Sequence, residues 1–305
     1  MKVLLTGAAG QLGHALRQLA PAGLELIATS RAGGEGLLAL DLADAEACRA
    51  AVLQHRPDWV LNGGAYTAVD RAESEPELAH AVNAGAPRAF AEALTETGGR
   101  MLQISTDFVF NGRQGSPYRS DQQRDPLGVY GASKAAGEEA IEQVFGVGGQ
   151  GLILRTSWVI GPVGRNFALT MLRLHRERGA AGPALGVVED QVGCPTSTFT
   201  LARACWRLLE GAGTASMSLP GPILHWSDAG AASWFDVAVA VGDLAAELGL
   251  LERPAAVNPI TTADYPLPAE RPSYSLLDCS GTRRALGLAP TPWRQALREV
   301  LAAAR

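Results

Sequence analysis

A glycine-rich turn follows the first apolar segment of the chain and limits what the chain can fold into. Residues 2–5 form a predicted β-strand, and behind it comes Thr6-Gly7-Ala8-Ala9-Gly10-Gln11-Leu12-Gly13, which opens a predicted helix. In such a strand–turn–helix unit, one glycine makes the reversal, another lets the backbone approach a pyrophosphate, and a third lets helix and strand pack closely. The spacing differs from the GxGxxG form. Its place directly after the first strand favours dinucleotide binding over a turn without a ligand.

Short apolar runs alternate with longer helical segments through the first half of the chain, which is typical of βαβ units that build a parallel sheet. Predicted strands cover residues 2–5, 24–28, 59–61, 101–105 and 151–155. Predicted helices cover residues 11–19, 45–54, 77–97 and 130–145. We therefore expect an α/β fold, a Rossmann-like doubly wound parallel sheet.

The alternation weakens after about Trp158, and Gly-Pro pairs become more frequent. We predict an NAD(P)-binding Rossmann-like domain over residues 1–158 and, over residues 159–305, mainly a smaller C-terminal substrate-binding domain. Segments near 197–228 are expected to return to the first domain.

Charge and apolar content exclude several classes of protein. The chain has 26 basic and 31 acidic residues, a net charge of −5, and no run of like charges, so a nucleic-acid partner is not expected. The apolar run near the N-terminus is far shorter than a signal peptide, and none is long enough to cross a membrane, so we expect a cytoplasmic protein without a membrane partner. The four cysteines are scattered along the chain, so we expect reduced thiols. The five histidines are scattered as well, so we expect packing or surface histidines and no metal site.

Tyr130 and Lys134 are four residues apart and therefore share one face of a predicted helix. The chain has 24 arginines but only two lysines, so a lysine at this spacing indicates chemistry that arginine cannot supply. An ammonium group beside a phenol stabilises phenolate and is expected to lower its pKa. Such a tyrosine can donate a proton to a ketone oxygen as hydride arrives at the carbon, whereas the alternative is an ordinary surface pair.

The predicted strand at residues 101–105 ends beside two hydroxyl side chains, Ser105 and Thr106. Ligands of open α/β sheets bind outside the carboxyl ends of the strands, so either hydroxyl could bond the same carbonyl oxygen or simply cap the strand. The sequence does not separate the two. Glu138 and Glu139, which follow the Tyr/Lys pair, are interpreted as the solvated side of the helix.

The second predicted strand leads into Thr29-Ser30-Arg31, where an NAD-selective site would carry an acidic residue for the ribose hydroxyls. Arg31 suits the 2′-phosphate of NADP, although a solvated surface arginine would give the same sequence. Asp41 could meet the adenine amino group or lie beside a helix N-cap. NADPH is therefore the predicted cofactor, with NADH as the alternative.

Longer strings narrow the class of enzyme. They are Gly10-Gln11-Leu12-Gly13, Ala65-Tyr66-Thr67-Ala68-Val69-Asp70-Arg71-Ala72-Glu73, Ser105-Thr106-Asp107-Phe108-Val109-Phe110-Asn111-Gly112, Asp190-Gln191-Val192-Gly193-Cys194-Pro195-Thr196, Arg155-Thr156-Ser157-Trp158 and Arg271-Pro272-Ser273. With the glycine turn and the Tyr/Lys pair they span nearly the whole chain. The sequence resembles the dTDP-4-dehydrorhamnose reductase family of the extended short-chain dehydrogenase/reductase superfamily.

The resemblance implies NAD(P)H-dependent reduction of the C4 ketone of dTDP-4-dehydro-L-rhamnose, the last step of dTDP-rhamnose synthesis. It implies Tyr130 as proton donor, Lys134 as its partner and a ribose ligand, and Thr106 as a second hydroxyl at the reacting oxygen. Implied cofactor contacts are Gly7, Gly10, Gln11, Leu12, Gly13, Arg31, Asp41, Leu42, Gly64, Ala65, Tyr66, Tyr130 and Lys134. Implied contacts with the dTDP-sugar are Asp107 and Trp158 at the sugar, and Asn166 and Arg271 near the nucleotide end.

The sequence also departs from the family pattern. Some members bridge two subunits through magnesium held by acids, one of them in the helix after the glycine turn, where this chain has His14-Ala15-Leu16. Glu189 and Asp190 match the other acids, so a homodimer stays open but no metal is predicted. Phe108 stands where the family more often has tyrosine.

Four other functions remain as alternatives. A sugar-nucleotide dehydratase would carry a glutamate where this chain has Phe108, and an epimerase would favour an acid near Arg31. A non-catalytic regulatory subunit on the same fold would not need the Tyr/Lys/Thr set. A reductase acting on another dTDP-4-keto-6-deoxyhexose is not distinguished by these residues.

Overall fold

A parallel sheet of seven strands forms the centre of the computed structural model, which describes residues 1–146, 150–212, 214 and 217–304. The strands of the chain are β1 (Lys2–Thr6), β2 (Glu25–Ser30), β3 (Leu38–Ala39), β4 (Trp59–Asn62), β5 (Arg100–Thr106), β6 (Gly151–Thr156), β7 (Val159–Ile160), β8 (Leu185–Val188), β9 (Val192–Gly193), β10 (Thr196–Ser197), β11 (Ile223–His225), β12 (Ala232–Ser233) and β13 (Val257–Ile260). The central sheet has the order β11-β6-β5-β4-β1-β2-β3. The remaining strands form short two-stranded pairs.

Helices connect the strands. They are α1 (Gln11–Gln18), α2 (Ala45–His55), α3 (Val69–Ala72), α4 (Pro76–His80), α5 (Ala86–Thr97), α6 (Val129–Phe145), α7 (Phe167–Arg178), α8 (Thr198–Gly211), α9 (Trp234–Glu247), α10 (Ser280–Leu286) and α11 (Trp293–Ala303). A π-helical turn at Ala81–Gly85 joins α4 to α5, and 3-10 turns lie at Asp107–Val109 and Thr262–Asp264. Among the described residues no helix has the length and apolar character needed to cross a membrane.

Apolar side chains cover both faces of the central sheet. On one face, α1 and α8 pack together, and Trp206 of α8 donates its indole N–H to the Leu16 carbonyl of α1. On the other face, α2, α5 and α6 contribute Val52, Phe90 and Ile141 to a separate apolar cluster. The predicted doubly wound α/β fold is confirmed.

The sheet places the ends of three strands beside one another. Strand order reverses between β1 and β4, so the crevice outside the carboxyl ends of β1, β4 and β5 is where a parallel α/β sheet binds ligands. The glycine turn follows β1, and Thr106 ends β5.

The predicted strands and helices of the first half are present, with three differences. The short helix α3 lies outside every predicted helix. The two-residue β3 lies in a glycine-rich stretch that carries no strand pattern. The helix predicted over residues 77–97 is interrupted by the π-helical turn at Ala81–Gly85. Pro87 has no amide hydrogen for the Asn83 carbonyl, which is a physical reason for the change of helical hydrogen bonding there.

The second half of the chain contributes to two cores. The strand β11 pairs in parallel with β6 at the edge of the central sheet, and α8 packs on the same face of that sheet as α1. A further apolar cluster is built from α7, α9, α11 and β8. The division into 1–158 and 159–305 stays a prediction, and residues 147–149, 213, 215, 216 and 305 of the predicted ranges lie outside the described part of the chain.

Candidate active site

The glycine turn after β1 has no room for side chains. Gly7 has φ +67, and a Cβ atom there would lie 2.6 Å from the Gly64 Cα. A Cβ atom on Gly13 would lie 2.2 Å from the Gly7 carbonyl oxygen. Gly10 is the N-cap of α1, and no side chain of the described residues caps that helix. The turn therefore leaves backbone N–H groups at a helix N-terminus, which suits a pyrophosphate.

A buried row of polar side chains connects this turn with β4 and β5. Thr6 donates its hydroxyl hydrogen to the Asn62 side-chain oxygen, and Asn62 Nδ2 donates to Gln103 Oε1 at 2.7 Å. The amide of Gly64 donates to Thr6 Oγ1 at 3.0 Å. A Cβ atom on Gly64 would lie 2.6 Å from Leu42 Cδ1. The backbone from Gly64 onward is thus fixed at the mouth of the crevice.

Asn83 ties the next residues to α6. Its side chain accepts the Tyr66 amide at 2.9 Å and donates both to the Tyr66 carbonyl and to Ser133 Oγ, each at 3.0 Å. Ser133 Oγ in turn donates to the Tyr130 carbonyl at 2.8 Å. The Tyr66 hydroxyl donates to Glu75, so this part of Tyr66 is already occupied.

Tyr130 lies in the first turn of α6 and meets the end of β5. Its ring packs edge-on against Phe108, with centroids 5.5 Å apart. Burial raises the pKa of Tyr130 to about 12, a hydrogen bond with Thr106 acts in the opposite direction, and the Asp107 charge raises it further. The expected lowering of the Tyr130 pKa is therefore wrong for this arrangement, because burial outweighs the stabilising contacts.

Asp107 is a buried carboxylate beside the Tyr130–Thr106 pair. Burial raises its pKa to about 6, and the nearby Ser275 and Thr106 hydroxyls oppose this shift. Its Oδ2 atom has no hydrogen-bond partner within the described residues. A buried acceptor without a partner at the end of a sheet strand is suited to bind a substrate hydroxyl.

Lys134 lies one helical turn after Tyr130 and is buried. Its Nζ donates to the Ile104 carbonyl at 2.7 Å. Burial lowers the pKa of Lys134 to about 8, and the negative charge of Glu138 acts against this lowering. The ammonium group is thus held at the base of the crevice, close to its point of deprotonation.

Glu138 is fully buried, which makes the prediction of a solvated side wrong for this residue, while Glu139 is exposed. Glu138 accepts hydrogen bonds from Ser105 Oγ, from Arg124 Nε at 2.6 Å and from Arg155 Nη2 at 2.6 Å. Burial alone would raise its pKa, but the hydrogen bonds and charges of the two arginines outweigh burial and hold the pKa below the usual range.

The buried ion pair has a signal in the sequence that helical periodicity around Glu138 does not reveal. Arg155 ends the apolar run Leu152-Ile153-Leu154 within β6, and a charged residue in a central strand needs a buried counter-charge. Arg155 Nη1 also contacts His225 Nε2 at 3.4 Å, and His225 Nδ1 lies 3.1 Å from the Tyr118 carbonyl. Burial and the Arg155 charge lower the pKa of His225 to about 3, so its ring is neutral.

The two hydroxyl candidates at the end of β5 have different surroundings. Ser105 donates to Glu138, whereas Thr106 lies beside Tyr130, donates to Asp107 Oδ1 at 3.1 Å and accepts the Phe108 amide at 3.2 Å. Thr106, Asp107, Tyr130 and Lys134 therefore lie together at the end of β5.

Two of the substrate-binding candidates, Arg271 and Asn166, form hydrogen bonds with other residues of the protein. Arg271 forms two hydrogen bonds with the Asp70 carboxylate, at 3.0 and 2.8 Å, and so ties the C-terminal segment to α3. Asn166 caps α7 and donates to Gln11 Oε1 at 2.7 Å, which places it beside the glycine turn.

Trp158 has an unusual backbone conformation, with φ +44. Its ring stacks on Trp234 with centroids 3.6 Å apart. A Cβ atom on Gly193 would lie 2.5 Å from the Trp158 ring, so glycine is required there. Because a left-handed conformation is costly for a bulky residue, these neighbours must hold Trp158 in place.

Candidate residues for the adenosine end of a cofactor lie near the end of β2, which neighbours β1 on the side away from β5. Arg31 follows β2 and is exposed. Asp41 accepts the Ala43 amide at 3.0 Å in the turn before α2.

In the part of the chain that the structure describes, His, Cys, Asp and Glu side chains form no group of three or more that could hold a metal ion. The four cysteines are buried free thiols.

Comparison with known proteins adds a consistent set of similarities. The model of the family described as RmlD substrate binding domain matches residues 1–305. A dTDP-4-dehydrorhamnose reductase from Streptomyces griseus is 42% identical over 97% of this chain and 91% of its own length. A probable dTDP-4,6-dihydroxy-2-methyloxan-3-one 4-ketoreductase from Streptomyces antibioticus is 40% identical over 98% of this chain and 94% of its own. The crystal structure of a dTDP-4-dehydrorhamnose reductase from Bacillus anthracis in complex with NADP matches with a TM-score of 0.85 and 31% identity, covering 98% of each chain.

Proposed function

The chain belongs to the dTDP-4-dehydrorhamnose reductase family, and from this membership we propose that it reduces the C4 ketone of dTDP-4-dehydro-L-rhamnose to give dTDP-L-rhamnose, with NADPH as reductant. The observation that carries the proposal is the meeting of Tyr130 and Thr106 at the end of β5, one helical turn from the Lys134 ammonium group. These are the groups that ketone reduction needs: a proton donor, a second hydroxyl and a nearby cation.

The proton moves from the Tyr130 hydroxyl to the ketone oxygen. NADPH, when bound, supplies the hydride that makes this oxygen strongly basic. The raised pKa of Tyr130 keeps the phenol protonated at neutral pH, so it arrives at the reaction as an acid. Lys134 then stabilises the phenolate that forms, and Thr106 holds the oxygen in line with Tyr130.

The glycine turn is the proposed site for the pyrophosphate of NADPH. A Cβ atom on Gly7 would overlap Gly64, one on Gly13 would overlap Gly7, and the α1 N-terminus offers backbone donors. Arg31, exposed after β2, is the proposed partner of the 2′-phosphate. The glycine turn suits either cofactor, and Arg31 supports NADPH over NADH as the reductant.

Asp107 and Trp158 are the proposed contacts with the sugar. The unpartnered Oδ2 of Asp107 supports hydrogen bonding to a sugar hydroxyl, and Trp158 offers an aromatic surface. Arg271 and Asn166 are proposed near the nucleotide, Arg271 acting by fixing the segment around it to Asp70. The homodimer and the cytoplasmic location stay predictions.

The test is to mix the purified protein with NADPH and dTDP-4-dehydro-L-rhamnose and to measure both NADPH absorbance and the dTDP-L-rhamnose formed. We expect NADPH oxidation matched mole for mole by dTDP-L-rhamnose, and slower turnover with NADH. A second dTDP-4-keto-6-deoxyhexose, run in parallel, tests the alternative suggested by the Streptomyces antibioticus relative. If NADPH is oxidised only with that second sugar, the second sugar is the substrate and the proposed one is not. If NADPH is oxidised with neither sugar, the reductase function is excluded.

A further inference from the structure

Three side chains at successive turns of α6 each contact one of the last three residues of β5. Their spacing of four places them on one helix face, which packs against the end of the strand. The pairs are Tyr130 with Thr106, Lys134 with Ile104, and Glu138 with Ser105. The active-site face of α6 therefore extends one turn beyond the Tyr/Lys pair.

Tight backbone packing fixes α6 in this position. A Cβ atom on Gly131 would lie 2.3 Å from the Phe108 carbonyl oxygen, and one on Gly137 would lie 2.1 Å from the Asn83 carbonyl oxygen. Both neighbours are backbone atoms, which cannot move aside cheaply. Small shifts at Glu138 would thus be transmitted along a rigid helix to Lys134 and Tyr130.

Glu138 carries its charge into the interior because two cations satisfy it. Arg155, itself fully buried, donates from Nε and Nη2, and Arg124 donates from Nε at the protein surface side. A buried carboxylate with this many charge-assisted hydrogen bonds stays ionised at neutral pH.

Glu138 is the charged neighbour that acts on Lys134. Its negative charge raises the pKa of Lys134 against the lowering by burial. The charged groups of other elements packed on α6 have other partners. Arg155 of β6 and Arg124 of the preceding loop bind Glu138, Glu73 near α3 accepts the Val129 amide, Arg88 of α5 donates to Gln143, and Asp107 acts on Tyr130.

We propose that Glu138 is a positioning residue of the active site, which holds the Lys134 side chain as an ammonium group and fixes the end of β5 against α6. The proposal rests on the proposed reductase function for its kinetic consequence but not for its electrostatic one. Glu138 does not reach the reacting atoms and acts through Lys134 and Ser105.

The direct test uses the small number of lysines. With lysine labelled with ¹³C at Cε, the protein gives side-chain signals from Lys2 and Lys134 alone, and Lys2 is an internal reference. We expect Glu138→Gln to lower the titration midpoint of Lys134 by about one pH unit and to leave Lys2 unchanged. The matched control is Glu142→Gln, since Glu142 lies on the same helix and also binds Arg124 but is half-exposed. An unchanged midpoint in Glu138→Gln, or an equal shift in Glu142→Gln, would overturn the proposal.

Glu138→Asp keeps the charge and serves if Glu138→Gln does not fold. Because the negative charge remains, the Lys134 midpoint should stay within about half a pH unit of the native value, and a fall of a full unit or more would overturn the proposal.

The kinetic readout separates positioning from a general structural role. In Glu138→Gln the loss of kcat should grow with pH, from little at pH 6 to about tenfold on the alkaline side, because more Lys134 is deprotonated there. A loss that is equal at all pH values would mean a structural role only. If the native protein shows no reductase activity while the Lys134 midpoint still shifts, the proposed function fails and the electrostatic role of Glu138 stands.

Discussion

The indole rings of Trp158 and Trp234 stack almost in parallel, with 3.6 Å between centroids and 7° between planes. Trp158 lies between β6 and β7 in a left-handed conformation, while Trp234 begins α9. Trp234 is itself fixed, because its Nε1 donates to Gln191 Oε1 at 3.2 Å. The stack thus joins the sheet to the elements that follow it and sets the orientation of the proposed sugar contact.

Removal of the stacking partner should weaken sugar-nucleotide binding selectively. Trp234→Ala should raise KM for the nucleotide sugar about three- to tenfold, since a stacked aromatic pair contributes roughly 0.5–1.5 kcal/mol. NADPH affinity, measured by fluorescence titration, should not change. Trp234→Phe retains an aromatic face and should lie near the native protein. An equal loss of NADPH affinity would contradict this role.

Tyr130→Phe should lower kcat by about 10²–10⁴ while NADPH binding is retained, because the variant lacks the general acid but keeps the ring packing against Phe108. Steady-state assays and a cofactor titration measure the two quantities. The control is Tyr265→Phe, at an exposed tyrosine, which should leave turnover unchanged. Native turnover in Tyr130→Phe would exclude the tyrosine as proton donor.

Gly7→Ala should abolish NADPH binding, because the residue has φ +67 and its Cβ would overlap the Gly64 backbone. Gly98→Ala is the matched control, since Gly98 has φ +82 but no heavy atom of the described residues within 4 Å of the added Cβ. This control should lose about 1 kcal/mol of stability and keep its cofactor affinity. Calorimetric titration with NADPH distinguishes the two, and similar affinities would argue against the glycine turn as the pyrophosphate site.

Arg31→Ala should weaken NADPH binding about tenfold or more and NADH binding much less, because only NADPH carries the 2′-phosphate. Dissociation constants for both cofactors test this. Arg17→Ala removes another exposed arginine, from the last turn of α1, and should affect neither. Equal losses for both cofactors in Arg31→Ala would show that this side chain does not bind the phosphate.

The buried Asp107 carboxylate should lower the free energy of unfolding at neutral pH. Burial raises its pKa from 3.8 to about 6, so the folded protein holds this proton more tightly than the unfolded chain. Its contribution therefore becomes more unfavourable as pH rises through this interval and stays so above it. Asp107→Asn should raise the free energy of unfolding at pH 7 by about 1–3 kcal/mol, with a smaller effect near pH 4, and should lower activity. Urea unfolding at the two pH values checks the sign, and destabilisation at pH 7 would contradict it.

Local patterns were sufficient for five of the seven strands of the central sheet and for the residues at the carboxyl ends of its strands. The first strand, the glycine turn and the helix behind it are specified by adjacent residues, and the Tyr130–Lys134 spacing needs only a helix to bring both side chains to one face. Because the carboxyl ends of parallel strands share an edge, the position of Thr106 at the end of a strand is enough to predict that it lies near them.

Local sequence patterns could not predict the contacts between segments that are far apart in the sequence. Glu138 follows the Tyr/Lys helix and looks like a surface acid until Arg155, from another strand, is placed against it. The pKa of Tyr130 is raised by burial among surrounding elements and by the Asp107 charge, while the Lys134 ammonium group binds the Ile104 carbonyl. The stacking of Trp158 on Trp234 joins residues from two parts of the chain and likewise leaves no periodic signal.

Transfer of deuterium from NADPH to the sugar tests whether the protein reduces the C4 ketone. NADPH carrying deuterium at C4 of the nicotinamide, prepared as each of the two diastereomers, is mixed with dTDP-4-dehydro-L-rhamnose and the native protein. We expect dTDP-L-rhamnose with one deuterium at C4 of the sugar from one diastereomer and none from the other. Deuterium at another carbon, or oxidation of NADPH without label in the sugar, would contradict reduction of the C4 ketone at this site.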